Sequence, residues 1–188
     1  MVKGVNVIIL KTRKSLAVFI GISILSIAAF FFLAYHIADT HHITNDKIQI
    51  IVSNNSHLNS AKEDVIRSHL FAEETVYGEL PITSNSSILS LRQAMFRIKH
   101  LKNIPLAPSL NQLNNLILAT ENRLKANTSK KITHYHRIFD TTINHINDLN
   151  YKQQSLMSSA IKQSDKKIST YLLLSLLNIL LNASIFSY

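Results

Sequence analysis

The chain has 188 residues, 46% of them apolar, with 3 Gly, 3 Pro, no Cys and no Trp. So few turn-forming residues argue against a sandwich, a barrel or any loop-rich fold, and the missing cysteines exclude a disulfide framework and a thiolate metal site. The net charge of +9 suggests nucleic acid only until its distribution is read: Lys3, Lys11, Arg13 and Lys14 form a basic tail with no acid among them. Beyond them, the remaining basic residues are dispersed among all of the acidic ones, so no nucleic-acid surface is expected.

Directly after this basic tail (residues 1–15), Leu16–Ala38 runs without a formal charge. As a helix it spans roughly 35 Å, enough to cross a hydrocarbon core of about 30 Å. A cleaved signal peptide would have a shorter apolar region ending at a small-x-small site. This run ends in Tyr35-His36-Ile37 and reads as an uncleaved anchor. Basic residues beside a first span favour the cytoplasmic side, so residues from about 39 onward are expected outside. At the other end, Tyr171–Tyr188 is a second, shorter uncharged run, near the lower length limit for a span. Within it Ser175, Asn178 and Asn182 fall on one helical face, the pattern of a surface turned toward another helix. Lys162, Lys166 and Lys167 lie before this second span, against the charge rule for an exported flank.

Between the spans, residues 39–170 contain three breaks. They are Pro81 with the Thr83–Ser87 polar run, Asn103–Ser109 with Pro105 and Pro108, and Asn127-Thr128-Ser129. Four helical segments follow, over about 39–80, 87–103, 109–127 and 130–170. In the first, Ile51, Leu58, Val65 and Ala72 repeat at seven, with Asn55, Lys62 and His69 at the alternate seam positions. Ile48–Val52 has strand propensity, but a lone strand lacks a partner and helix is preferred. The second carries the stripe Ile88, Leu91, Met95, Ile98 and Leu101. The third carries Leu110, Leu113, Ile117 and Leu124, interrupted by Thr120, with Ser109 as its expected N-cap. The fourth carries Tyr135, Ile138, Thr142, Ile146, Leu149, Leu156 and Ala160, with Gln153 inside the same rhythm.

The outer segments have about 40 residues, or roughly 60 Å each, and the inner two only about 25–29 Å. Four helices can therefore close a core far from the membrane, with two per chain nearer to it. A homodimer would complete four helices there. The expected fold is all-α: a membrane-anchored antiparallel four-helix bundle whose two long outer helices continue the spans.

This arrangement of basic tail, span, exported helices and second span resembles the sensory input region of bacterial transmembrane receptors. Chemotaxis receptors, sensor histidine kinases and membrane-bound cyclic-di-GMP enzymes share it. The resemblance covers the chain in arrangement only and transfers no binding residue. It implies an inner-membrane location, a periplasmic bundle that takes a small-molecule ligand or a partner protein, and a small shift of one signalling helix as output, here residues 131–188. No kinase, cyclase or methyl-accepting region follows Tyr188, so the chain is expected to be an input half or a protein without its own output. The rival expectation is a scaffolding membrane protein whose exported coiled coil binds a partner.

Two sets of side chains stand out as candidate sites. Arg67, Arg92 and Arg97 suit an anion, because a guanidinium offers a planar fork of donors to a carboxylate; pairing with Glu63 or Glu121 is the plainer reading. Among nine histidines, an antiparallel level count brings His134 or His136 near Glu73, with His69 one turn below, so His69, Glu73 and His134 are the candidate metal ligands. His41-His42 is a second close pair. Residues two apart on a helix point about 200° apart, so His134 and His136 cannot both contribute unless the helix starts later. There is no phosphate loop, G-x-S-x-G, H-E-x-x-H or C-x-x-C. The adjacent acids Glu63-Asp64 and Glu73-Glu74 do not converge on one atom. No enzyme activity and no cofactor are expected.

Overall fold

The computed structural model describes residues 2–78, 85–125 and 129–186. They form four helices: α1 (Val2–Tyr77), α2 (Asn85–Lys99), α3 (Ala107–Lys125) and α4 (Ser129–Phe186). No strand occurs among the described residues, and Ile48–Val52 is helical. The chain divides into two compact units, one of residues 1–46 with 160–188 and one of residues 47–159.

In the second unit the helices bury an apolar core. Leu58, Ala61, Val65, Ala72, Leu91, Ala94, Ile98, Leu113, Leu116, Tyr135 and Ile146 lie within it. On α1 the seam runs Ile51, Asn54, Leu58, Ala61, Val65, Ser68, Ala72, alternating steps of three and four. The heptad positions Ile51, Leu58, Val65 and Ala72 are buried, but the alternate positions are Asn54, Ala61 and Ser68 in place of Asn55, Lys62 and His69. Small side chains at these positions let neighbouring helices approach closely. On α2 and α3, Ser87, Ser90, Ala94, Ser109 and Ala119 are likewise buried. Leu156 of α4, expected in the seam, is 57% exposed.

The breaks have local causes. Gly78 has φ +72° and donates its N–H to the Glu74 carbonyl at 3.0 Å, the left-handed cap that ends α1. Pro81 and the polar run as far as residue 84 lie outside the described residues. α2 closes through tight bonds from His100 N–H to Arg97 O (3.1 Å) and Leu101 N–H to Ile98 O (3.2 Å). The α2–α3 connection then passes through Asn103 in the left-handed region at φ 59°, a conformation asparagine tolerates. Asn54 on α1 fixes this connection. Its Nδ2 donates to the Lys102 carbonyl and its Oδ1 accepts from the Lys102 N–H, both at 2.9 Å. It also donates to Gln153 Oε1 on α4 at 3.3 Å. Pro108 sits in the first turn of α3, where its missing N–H costs nothing. Because α3 starts at Ala107, Ser109 is not its cap; Ser109 is buried with its hydroxyl 2.9 Å from His145 Nε2 of α4. Residues 127 and 128 of the third break are outside the described residues.

The first unit has the opposite distribution of polarity. α1 and α4 are each, within Leu16–Tyr77 and Lys131–Ser184, long and apolar enough to cross a membrane. Leu25 (71%), Phe31 (68%) and Leu173 (67%) are widely exposed. The polar residues face the other helix: the Ser26 hydroxyl donates to Asn178 Oδ1 (2.6 Å), and Asn178 Nδ2 donates to the Ser26 carbonyl (3.1 Å). Asn182 donates to both the Ser26 hydroxyl and the Asn178 carbonyl. Ser175, Asn178 and Asn182 are half-buried, and Asn178 and Asn182 reach Ser26 of α1, as the spacing of the stripe suggested. His36 stacks on Tyr171 with ring centres 5.7 Å apart.

Candidate functional site

Two groups of polar side chains in the second unit have the chemistry of a binding site. The first is a cleft of about 520 Å³ between α1 and α2, lined by Glu63, Asp64, Arg67, Arg92, Gln93, Phe96 and Arg97. The three candidate arginines thus converge on one cleft. On α2, Arg92 and Arg97 are five positions apart in sequence, and Phe96 lies between them with its ring exposed. Arg97 Nε is held 2.7 Å from Oδ2 of Asp64, which is buried. Asp64, not Glu63 or Glu121, is therefore the carboxylate that orients Arg97. Arg67 and Arg92 are exposed, so the cleft presents two guanidinium groups to solvent beside the Arg97–Asp64 pair and the Glu63 carboxylate.

The second group joins α1, α3 and α4 around His69. Its ring stacks on Phe139 (centres 4.2 Å apart) and on Tyr135 (5.4 Å), and meets the edge of His136 at 5.3 Å. His69 Nδ1 lies 2.9 Å from the Tyr135 hydroxyl. Donor atoms of His69, Glu73 and His136 lie within 4.8 Å of one another. His134, the other candidate, is exposed and lies 3.4 Å from Arg137 through its Nδ1. The structure therefore brings His69 and Glu73 together with His136. It leaves His134 outside, on the opposite side of the helix, as the two-position spacing requires. His41 and His42 are exposed on α1 in the other unit, with His42 Nδ1 3.1 Å from Asp46.

Sequence reasoning missed the residue that anchors this cluster. Arg123 is completely buried, and its Nη2 donates to Glu73 Oε2 at 3.0 Å. The available signal was its position: one heptad after Leu116 and one turn after Thr120, it falls on the α3 seam, where a charge needs a buried partner. Glu73 Oε1 is buried without a hydrogen-bond partner.

Burial shifts the titration of His69 and Tyr135 in this group. It holds the His69 pKa below the usual histidine value, against the opposing pull of the Glu73 carboxylate. Burial and then the negative Glu73 push the Tyr135 hydroxyl well above its ordinary value, so the phenol keeps its proton. Burial also lowers His145, which contacts Ser109.

Compared with known proteins, the chain matches no family model, no curated protein and no solved structure.

Proposed function

We propose that the chain is the input region of a bacterial transmembrane signalling receptor, binding a small anionic ligand in an extracytoplasmic helical bundle. The observation that carries this reading is the convergence of Arg67, Arg92 and Arg97 on one cleft in the region between two span-length apolar segments. Exposed guanidinium groups flanking a pocket suit a carboxylate-bearing molecule, which they grip with paired donors.

The contacts Asn54–Gln153, Asn59–Asn150 and His69–Tyr135, whose α4 numbers fall as α1 numbers rise, support an antiparallel bundle. In this reading Leu16–Ala38 and residues 171–188 cross the inner membrane and the bundle is periplasmic. The α1–α2 cleft would bias the helices of the bundle, and α4, one helix from Ser129 to Phe186, would carry a small displacement toward the membrane. Exposed Val52, Ile66 and Leu70 share one side of α1 and suit a second copy of the chain, making a homodimer. The same exposed residues suit the partner helix of a scaffolding protein, whose cleft would bind no small molecule.

The test is a thermal-stability screen of the detergent-solubilised full chain against small carboxylates and inorganic anions. A ligand selective for the folded state at 100 times its Kd stabilises it by about 2.7 kcal/mol. At least one anion should raise the melting temperature, and the Arg67→Ala/Arg92→Ala double variant should lose that rise. A screen in which no anion shifts the transition, or a shift that survives the double variant, contradicts the reading.

A further inference from the structure

We propose that His69, Glu73 and His136 form a binding site for one zinc-class divalent transition-metal ion, with His69 positioned for it by Tyr135. The site is separate from the arginine cleft and does not depend on its occupancy.

Two imidazoles and a carboxylate are ligands of the kind that hold zinc in three-ligand sites, which leave a fourth position for water or an exogenous group. Their donor atoms already lie within 4.8 Å of one another. Tetrahedral coordination at bond lengths of about 2.0–2.2 Å requires ligand separations of about 3.4 Å, so side-chain adjustments of about an ångström close the set. His69 and Glu73 are one turn apart on α1, the i, i+4 spacing that puts two ligands on one face. His136 comes from α4, so the ion would join two helices.

The contact behind His69 determines which nitrogen is left for an ion. His69 Nδ1 already lies 2.9 Å from the Tyr135 hydroxyl, so Nε2 is the nitrogen it would offer. With an ion on Nε2, the Nδ1–H would donate to the Tyr135 oxygen. Metal-ligating histidines characteristically donate their other ring proton in this way, which fixes the tautomer and the ring orientation. The stack on Phe139 restricts the same ring further.

Glu73 is divided in a similar manner. Arg123 occupies Oε2, and the buried Oε1 has no hydrogen-bond partner. A buried carboxylate oxygen without a partner is costly, and a metal ion would satisfy it. The adjacent guanidinium offsets much of the carboxylate charge. This disfavours calcium and magnesium, which are held by several anionic or carbonyl oxygens, and selects an ion bound through imidazole nitrogen.

The experiment uses the full chain in detergent, stripped with a chelator, and titrates Zn(II) by calorimetry and Co(II) by visible absorption. The expected result is one ion per chain, with cobalt bands of a low-coordinate nitrogen and oxygen site. His136→Ala and Glu73→Gln should abolish saturable binding, with helicity checked by circular dichroism. Tyr135→Phe, which removes the oxygen that orients His69, should weaken binding about 10–100-fold. His134→Ala and His42→Ala should leave binding unchanged. No saturable uptake by the unaltered chain would overturn the proposal. So would uptake that survives His136→Ala, or uptake that His42→Ala removes, which would assign it to the exposed His42–Asp46 pair. Undiminished affinity in Tyr135→Phe would overturn the positioning role of the tyrosine.

Discussion

The two units distribute polarity in opposite directions. In the bundle, apolar side chains such as Leu58, Leu91, Leu113 and Ile146 point inward, and buried polar groups such as Asn54 and Arg123 have specific partners. In the apolar pair, Leu25, Phe31 and Leu173 point outward, while Ser26, Asn178 and Asn182 point at one another. The difference is the one expected if the apolar pair lies in a membrane, as proposed, because the two settings drive association differently. Helices in water associate mainly by removing apolar surface from solvent. Helices surrounded by hydrocarbon gain nothing from apolar contact as such and associate by close packing and hydrogen bonds. A polar residue is thus an exception to be neutralised in the bundle and a source of specificity in the apolar pair.

This contrast can be broken in a graded series, read as the denaturation free energy of the full chain in detergent. The largest loss should come from Arg123→Ala, which leaves the Glu73 carboxylate facing a cavity in the bundle. Breaking a buried pair from one side costs about 3–5 kcal/mol. Glu73 keeps 19% side-chain exposure, which favours the lower end, and the compensating Glu73→Gln should recover part of the loss. Asn54→Ala should cost about 2 kcal/mol, because it orphans both the carbonyl and the N–H of Lys102. It should also raise hydrogen exchange in the α2–α3 connection. Ser26→Ala in the apolar pair should cost only about 0.6 kcal/mol, the average for a hydrogen bond between membrane helices. A Ser26→Ala loss as large as that of Asn54→Ala would erase the contrast between the units.

The smallest effect concerns pH. His145 is held below its unfolded pKa by burial, so the unfolded chain takes up the proton first. Its contribution to stability is in place above the unfolded value of about 6.5 and is lost as pH falls toward and through the lower folded value. Stability should therefore decline on acidification from about pH 7. His145→Gln, which keeps a partner for Ser109, should flatten that decline; an unaltered slope would assign the effect to other groups.

Periodicity exposed the elements more readily than it exposed their polar partners. The Pro105 and Pro108 break, the seam through Ile51, Leu58, Val65 and Ala72, and the inward face of Asn178 and Asn182 were all legible, because each is a spacing along one helix. Errors arose where a rotation of one position decides the outcome. Neighbouring residues differ by about 100° around the axis, enough to replace Asn55 by Asn54 in the seam. Leu156 has the right spacing but is exposed. Pairings across helices were least legible. A buried Arg123 makes sense only beside Glu73, Ser109 only beside His145, and Gln153 only beside Asn54. The three arginines could be chosen by type, but their common cleft depends on how α2 packs on α1.

The proposed receptor role requires above all that the bundle and the basic tail lie on opposite sides of a membrane. The chain contains no cysteine, so single substitutions can report on this directly. Asn115→Cys on the exposed side of α3 and Thr12→Cys in the tail would be treated with a membrane-impermeant maleimide. The comparison is between bacterial cells with a permeable outer membrane and lysed cells. A periplasmic bundle predicts that Asn115→Cys is labelled before lysis and Thr12→Cys only after it. Labelling of Thr12→Cys before lysis with protection of Asn115→Cys, or equal labelling of both before lysis, would contradict it.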